Sequence, residues 1–235
     1  MKTTFLCLLS TALFGMTYAD VGNSPPLPEE SVLDSTEVVL PLDSDAPRPT
    51  IEFSINGEGP FLFVLDTGAQ GFVIDAHLAK ELKLPVVGKA AMGDPSDPQA
   101  VEVDRVKIES IDLGGVSLSE VIADSWDMPE QVRRHLRGRG IFGLNILSAF
   151  LVTFDYSGSK IVIENGALPV SGDDTVLPWG AEDGGLPTVL ISIQGIAFDA
   201  HIDSGSPNQI TLPENVRGKF VYLEEPVVVG RGRTV

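Results

Sequence analysis

The stretch GPFLFVLDTGAQGFVID, Gly59 to Asp75, decides the fold. An apolar, β-branched and aromatic run delivers Asp66 into a turn of small residues, Thr67-Gly68-Ala69, and a second apolar run then resumes. That is the pattern of two short strands joined by a tight turn, with a carboxylate presented at its head. An isolated Asp-Thr-Gly is weak support for anything, because such tripeptides arise by chance. Here the pattern comes twice.

The second copy is GIAFDAHIDSGSPNQITLP, Gly195 to Pro213, in which Asp203 precedes Ser204-Gly205-Ser206. The frame extends upstream: PTIEFSING (Pro49 to Gly57) aligns with PTVLISIQG (Pro187 to Gly195) at an offset of 138 residues. At the aspartates the offset, Asp66 to Asp203, is 137, so one residue is lost between strand and turn. The sequence therefore reads as an internal duplication in which the two aspartates are equivalent positions of two lobes.

Two carboxylates brought face to face cannot both ionise easily, so the pair holds one proton between them. Such a pair is base and acid at once: the ionised member takes a proton from a water while the protonated member polarises a carbonyl. The small residues suit this geometry. Gly68 and Gly205 permit backbone angles closed to other residues and let a substrate backbone approach. The Thr67 and Ser204 hydroxyls are able to bond main-chain groups of the opposite turn and hold the two loops in register.

With a third element, Ile141-Phe142-Gly143, these residues resemble the aspartic peptidases of the retropepsin-like and pepsin-like clan, and most of all the bacterial two-lobed aspartyl protease family proteins with a signal peptide. Ile141-Phe142-Gly143 is similar to the hydrophobic-hydrophobic-Gly signature that closes the ψ-shaped strand arrangement in this clan. The following LNILSAFLVTFDYSGSKIVIE is similar to the short helix and hairpin that end a lobe. The resemblance covers residues 36–163 for one lobe and 187–213 for part of another. It implies an all-β fold: a closed retropepsin-like β-barrel lobe with a short helix, then a second lobe of the same type. It also implies an aspartic-type endopeptidase that acts on peptide or unfolded protein with no cofactor. Asp66 and Asp203 are then the catalytic pair, supported by Thr67, Gly68, Ser204, Gly205, Ile141, Phe142 and Gly143. Substrate would lie against Gly68, Ala69, Gly205 and Ser206. A flap hairpin would place its loop between Gly88 and Gln99, with Met92 as the substrate-facing residue.

The remaining chain fits around this. EVVLPL, TIEFSI and FLFVL are strand-like runs bounded by Gly, Pro and Asp; helical periodicity first arises at AHLAKEL, Ala76 to Leu82. MPEQVRRHLRGRG, Met128 to Gly140, is a basic island read as a short helix starting at Pro129 and ending at Gly138, its arginines solvated or paired with acidic neighbours. The three histidines, His77, His135 and His201, have no zinc-ligand spacing, so no metal is expected.

The N-terminus carries Lys2, an apolar run from Phe5 to Met16, and Thr17-Tyr18-Ala19 before Asp20, the layout of a signal peptide over residues 1–19 and too short for a membrane span. Export to the periplasm or outside the cell is expected, and the single cysteine, Cys7, lies inside the removed segment. Residues 20–35 are acidic and proline-rich and read as a disordered leader. A net charge of -17 disfavours nucleic acid and anionic membranes as partners.

Residues 36–165 form the first lobe, 166–185 a linker and 186–235 a partial second lobe. Ile141 follows Asp66 by 75 residues, whereas the chain ends at Val235 before any second hydrophobic-hydrophobic-Gly, so a C-terminally incomplete second lobe is expected. A complete pair of lobes gives a monomer with a pseudo-twofold axis. Two further readings stand beside it: a homodimer of first lobes with two copies of Asp66, and a non-catalytic peptide-binding protein of the same fold. A Ser-His-Asp hydrolase is weaker, since Ser204 and Ser206 lack a G-x-S-x-G elbow.

Overall fold

The structure is a computed structural model, and it describes residues 7–8, 26–43, 46, 48–92, 101–166, 172, 177, 186–206, 210–212, 216, 218–224 and 227. In chain order the elements are β1 (Cys7–Leu8), β2 (Glu30–Leu33), β3 (Glu37–Pro41), β4 (Thr50–Ile55), β5 (Glu58–Asp66), β6 (Phe72–Asp75), α1 (Ala76–Glu81), β7 (Val86–Met92), β8 (Val101–Asp112), β9 (Val116–Trp126), α2 (Glu130–Leu136) and β10 (Gly140–Gly143). A 3₁₀ turn (Leu144–Leu147), β11 (Leu151–Asp155), β12 (Lys160–Glu164), β13 (Thr188–Ile193) and β14 (Ile196–His201) complete them.

Eight strands pair in the order β2-β9-β6-β10-β5-β4-β8-β7, and a further β8–β9 pairing joins the second strand from either end. Six strands, β9-β6-β10-β5-β4-β8, therefore close into a barrel, with β2 and β7 added outside it. Closure removes the open edges that a mixed sheet of this size would otherwise present. A second sheet, β1-β11-β12-β3, is antiparallel throughout and includes the terminal hairpin.

The core is aromatic at its centre. Phe53 and Phe63 stack at 4.5 Å, Phe72 lies edge-on to Phe53, Phe63 and Phe142 at 5.2–6.0 Å, and Phe142 is tilted against Phe53 at 5.0 Å. These four rings, all fully buried, come one each from β4, β5, β6 and β10. Burial of such side chains stabilises by roughly 1.5–3 kcal/mol apiece. They fix the strands that carry the Asp66 turn. A smaller apolar cluster of Ala90, Val103, Trp126 and Met128, with Val73, Met92, Val132 and Leu136 against it, joins β7 and α2 to the barrel.

The two Pro-Thr frames share backbone detail. Both repeats open with a hairpin turned on two residues of positive φ, Asn56 and Gly57 in one (50° and 78°) and Gln194 and Gly195 in the other (53° and 79°). These are the angles that match the twist of paired strands. The Leu65 amide donates to the Pro49 carbonyl and the Ile202 amide to the Pro187 carbonyl, each at 2.9 Å. The β13–β14 register runs unbroken from Thr188 opposite His201 to Ile193 opposite Ile196. In β4–β5, by contrast, the register shifts between Phe53 opposite Phe61 and Ile55 opposite Glu58. The residue that separates the two offsets is thus the extra one of a β-bulge in β5.

The structure departs from expectation in two places. Part of the leader, Glu30–Leu33, is strand β2 on β9, because Leu33 reaches the core. The loop expected from Gly88 begins later: β7 continues to Met92, where Ala90 is buried opposite Val103. Residues 93–100 of that loop, residues 1–6 and 9–19 of the expected signal segment, residues 20–25 of the leader and most of the 166–185 linker lie outside the described residues. Cys7–Leu8 pair with Val152 and Thr153.

Candidate active site

Each aspartate stands at the end of a hairpin strand. Asp66 ends β5, where β10 runs parallel beside it with Ile141 opposite Val64, Phe142 opposite Leu65 and Gly143 opposite Asp66. The other face of β10 pairs with β6, so Ile141-Phe142-Gly143 is wedged between the two strands flanking the turn. A side chain at Gly143 has no room: a Cβ there would come within 2.3 Å of the Gly71 carbonyl oxygen. Asp203 follows β14, and its turn closes with the Ser206 amide on the Asp203 carbonyl at 3.4 Å, matching Ala69 on Asp66 at 3.3 Å.

The two turns are cross-bonded. Thr67, fully buried, donates its Oγ1 hydrogen to the Ile202 carbonyl at 2.6 Å and accepts from the Ser204 amide at 2.9 Å. Ser204 answers in kind: its Oγ donates to the Leu65 carbonyl at 2.8 Å and accepts from the Thr67 amide at 3.0 Å. Both hydroxyls are satisfied as donor and as acceptor, and four main-chain groups that would be costly to bury unpaired have partners.

That grip brings the carboxyls together. A Cβ at Gly68 would lie 2.7 Å from Asp203 Cγ, and one at Gly205 2.3 Å from Asp66 Cγ. Neither glycine has a positive φ, so it is the opposite carboxylate, rather than the backbone angle expected from sequence, that excludes a side chain there. The Gly68 amide donates to Asp66 Oδ1 at 2.8 Å. Asp66 also accepts from the Gly205 amide and shares a hydrogen bond with the Asp203 side chain. Burial, the Asp203 charge and that side-chain bond push Asp66 up from 3.8 to about 6, against the opposing pull of the two glycine amides.

Met92, at the end of β7, packs on the Trp126 and Met128 cluster. Ser206 lines a cavity with Asp203, Ser204 and Arg48. The histidines lie apart: His77 contacts the buried Asp75, His135 its own helix at the Gln131 carbonyl, and His201 shares a hydrogen bond with Thr188 across β13–β14. Among the described residues no group of three or more His, Cys, Asp and Glu is placed to hold a metal.

The basic island pairs with acids. Arg133 reaches Asp75, Arg134 reaches Glu130 and Arg139 reaches Glu81. Arg133 Nε lies 3.0 Å from Asp75 Oδ2 as an ion pair whose N–H is not aligned for a hydrogen bond. The site residue that sequence reasoning missed is Arg48, which donates from Nε to the Gly205 carbonyl at 2.5 Å. Its one signal was the unequal start of the repeats, Arg-Pro-Thr against Leu-Pro-Thr.

Residues 51–146 match the family described as Aspartyl protease. No curated protein matches the chain. Among solved structures, a retropepsin-like aspartic protease from Rickettsia conorii is similar at 13% identity and a TM-score of 0.39, over 57% of this chain and 92% of that one. The match to the aspartyl protease family thus takes in the Asp66 turn, both short helices and Ile141-Phe142-Gly143, and ends before Asp203.

Proposed function

We propose that the chain is an aspartic-type endopeptidase whose two carboxyls, Asp66 and Asp203, share one proton and hydrolyse a peptide bond through a water held between them. The observation that carries this reading is the reciprocal bonding of the two turns, which sets the carboxyls in hydrogen-bond contact inside one chain. The ionised carboxyl removes a proton from the water as its oxygen adds to the peptide carbonyl carbon. The protonated carboxyl delivers its proton to the carbonyl oxygen. Collapse of the resulting diol breaks the C–N bond, with a proton passing to the leaving nitrogen, and the pair regains its single proton. No covalent intermediate with the enzyme forms.

The elevated Asp66 value supports work in the acid range, because the shared proton is lost as pH rises through about 6. The basic, apolar and small-residue order of positions 2–19 supports export before the site acts. The test is hydrolysis of an unfolded protein between about pH 3 and 7 by the wild type, Asp66→Asn and Asp203→Asn. Each substitution is expected to remove activity, since either loss leaves the pair without its acid or its base. Activity that survives Asp203→Asn rejects the intrachain pair in favour of two copies of Asp66. Tight binding of a peptidic inhibitor with no hydrolysis by the wild type points instead to a peptide-binding protein.

A further inference from the structure

The cross-bonding of the two turns is symmetric, but among the described residues their support is not. The Asp66 turn is wedged by β10, whose Gly143 stands opposite Asp66 itself. Among the described residues, no strand lies in that way beside Asp203, whose approach is paired only within the hairpin β13–β14. What meets the second turn instead is a side chain from the barrel. Arg48, just ahead of β4, donates from Nε to the Gly205 carbonyl at 2.5 Å and from Nη1 to the His135 carbonyl at 3.2 Å. One guanidinium thus joins the last turn of α2, the start of β4 and the Asp203 turn. The matching position of the second repeat, 138 residues on, is Leu186, whose side chain carries no donor.

We propose that Arg48 is a positioning residue for the aspartate pair, tying the Asp203 turn to the barrel through the Gly205 carbonyl. A charged donor on a carbonyl makes a stronger bond than a neutral one, and the planar guanidinium spans two acceptors at fixed angles. The Gly205 carbonyl belongs to the peptide unit whose N–H, that of Ser206, closes the turn on the Asp203 carbonyl. Fixing that unit fixes the tilt of the turn, and with it the reach of the Gly205 amide and the Asp203 carboxyl toward Asp66. Asp43, Tyr156, Asp203, Ser204 and Ser206 line the cavity of about 140 Å³ beside Arg48, so Asp43 and Tyr156 are the other ionisable groups facing this region. Burial, Asp203 and the Gly68 and Gly205 amides set the Asp66 value, and the proposed action of Arg48 on it runs through the turn.

The effect on turnover rests on the peptidase reading above; the geometric claim does not, and the experiment separates them. In the full chain, Arg48→Met keeps the aliphatic length and removes every donor, while Arg48→Lys returns one charged donor. With Arg48→Met, the Asp66 carboxyl titration followed by ¹³C NMR is expected to move down from about 6 toward the ordinary carboxylate range, as Asp203 draws away. For a hydrolysing wild type, kcat falls on the order of tenfold to a hundredfold, the scale of a roughly 1 Å misplacement, with KM nearly unchanged and Arg48→Lys in between. An unmoved Asp66 midpoint in folded Arg48→Met overturns the proposal. A moved midpoint in a protein without hydrolysis supports it and sinks the peptidase reading. The wild type supplies a second measurement that does not depend on a variant folding. The Arg48 Nε–H is expected to exchange with solvent more slowly than that of exposed Arg137, and equal rates overturn the proposal.

Discussion

Thr67 shows how much of the site one side chain holds. Its hydroxyl closes two of the four bonds between the turns from a fully buried position, so Thr67→Val, similar in shape, leaves the Ile202 carbonyl and the Ser204 amide without their partner. We expect it to destabilise by about 1–3 kcal/mol in urea denaturation, the penalty for stranding buried polar groups, while Thr67→Ser stays close to the wild type. This residue was legible from sequence, because a hydroxyl after each aspartate in matching frames has a mechanical use. The demand for glycine at 68 and 205 was legible too, though its cause is the opposite carboxyl. Arg48 was marked only by the Arg-Pro-Thr against Leu-Pro-Thr difference, which does not point to its partner at Gly205, 157 residues away.

At the scale of elements, the Asp66 turn is placed by the strands whose four phenylalanines meet beneath it. Phe142→Ala opens that cluster and is expected to destabilise by about 3–5 kcal/mol in the same denaturation experiment. The helices are tied to each other by charge. Arg133 of α2 meets Asp75, the buried N-cap of α1, and Arg139 meets Glu81 at its end. Arg133→Met leaves the Asp75 carboxylate with the ring and the backbone amide of His77, and a loss of about 1–3 kcal/mol is expected, below the full penalty for breaking a buried pair because Arg133 is partly solvated. The apolar runs TIEFSI and FLFVL made β4 and β5 readable, and Pro129 marked the start of α2. The extent of β7 and the presence of β2 were not readable, because the packing that makes them strands comes from β8 and β9 rather than from their own short runs.

For the molecule as a whole, the repeated frame was the most legible feature: its 138-residue offset reappears as matched hairpin turns and matched amide-to-proline-carbonyl bonds. What the frame could not carry was the bond from Arg48 to the Gly205 carbonyl. The paired carboxyls also couple folding to pH. Asp66 holds its proton up to about 6 in the folded chain against an ordinary value of 3.8, so the folded state binds more protons between those values. Its contribution is therefore fully present below about pH 4 and is lost as pH rises through about 6. The stability of the wild type relative to Asp66→Asn is expected to fall by on the order of 2–3 kcal/mol between pH 4 and 7, read from denaturation midpoints across that range.

The central claim is that two aspartates from the two repeats share one proton within one chain. Site-resolved ¹³C titration of the Asp66 carboxyl in the wild type and in Asp203→Asn tests it most directly. The account predicts a midpoint of about 6 in the wild type and a clear fall in the variant, because the Asp203 charge is removed while burial remains. An ordinary carboxylate midpoint in the wild type, or the same midpoint in both proteins, would contradict it.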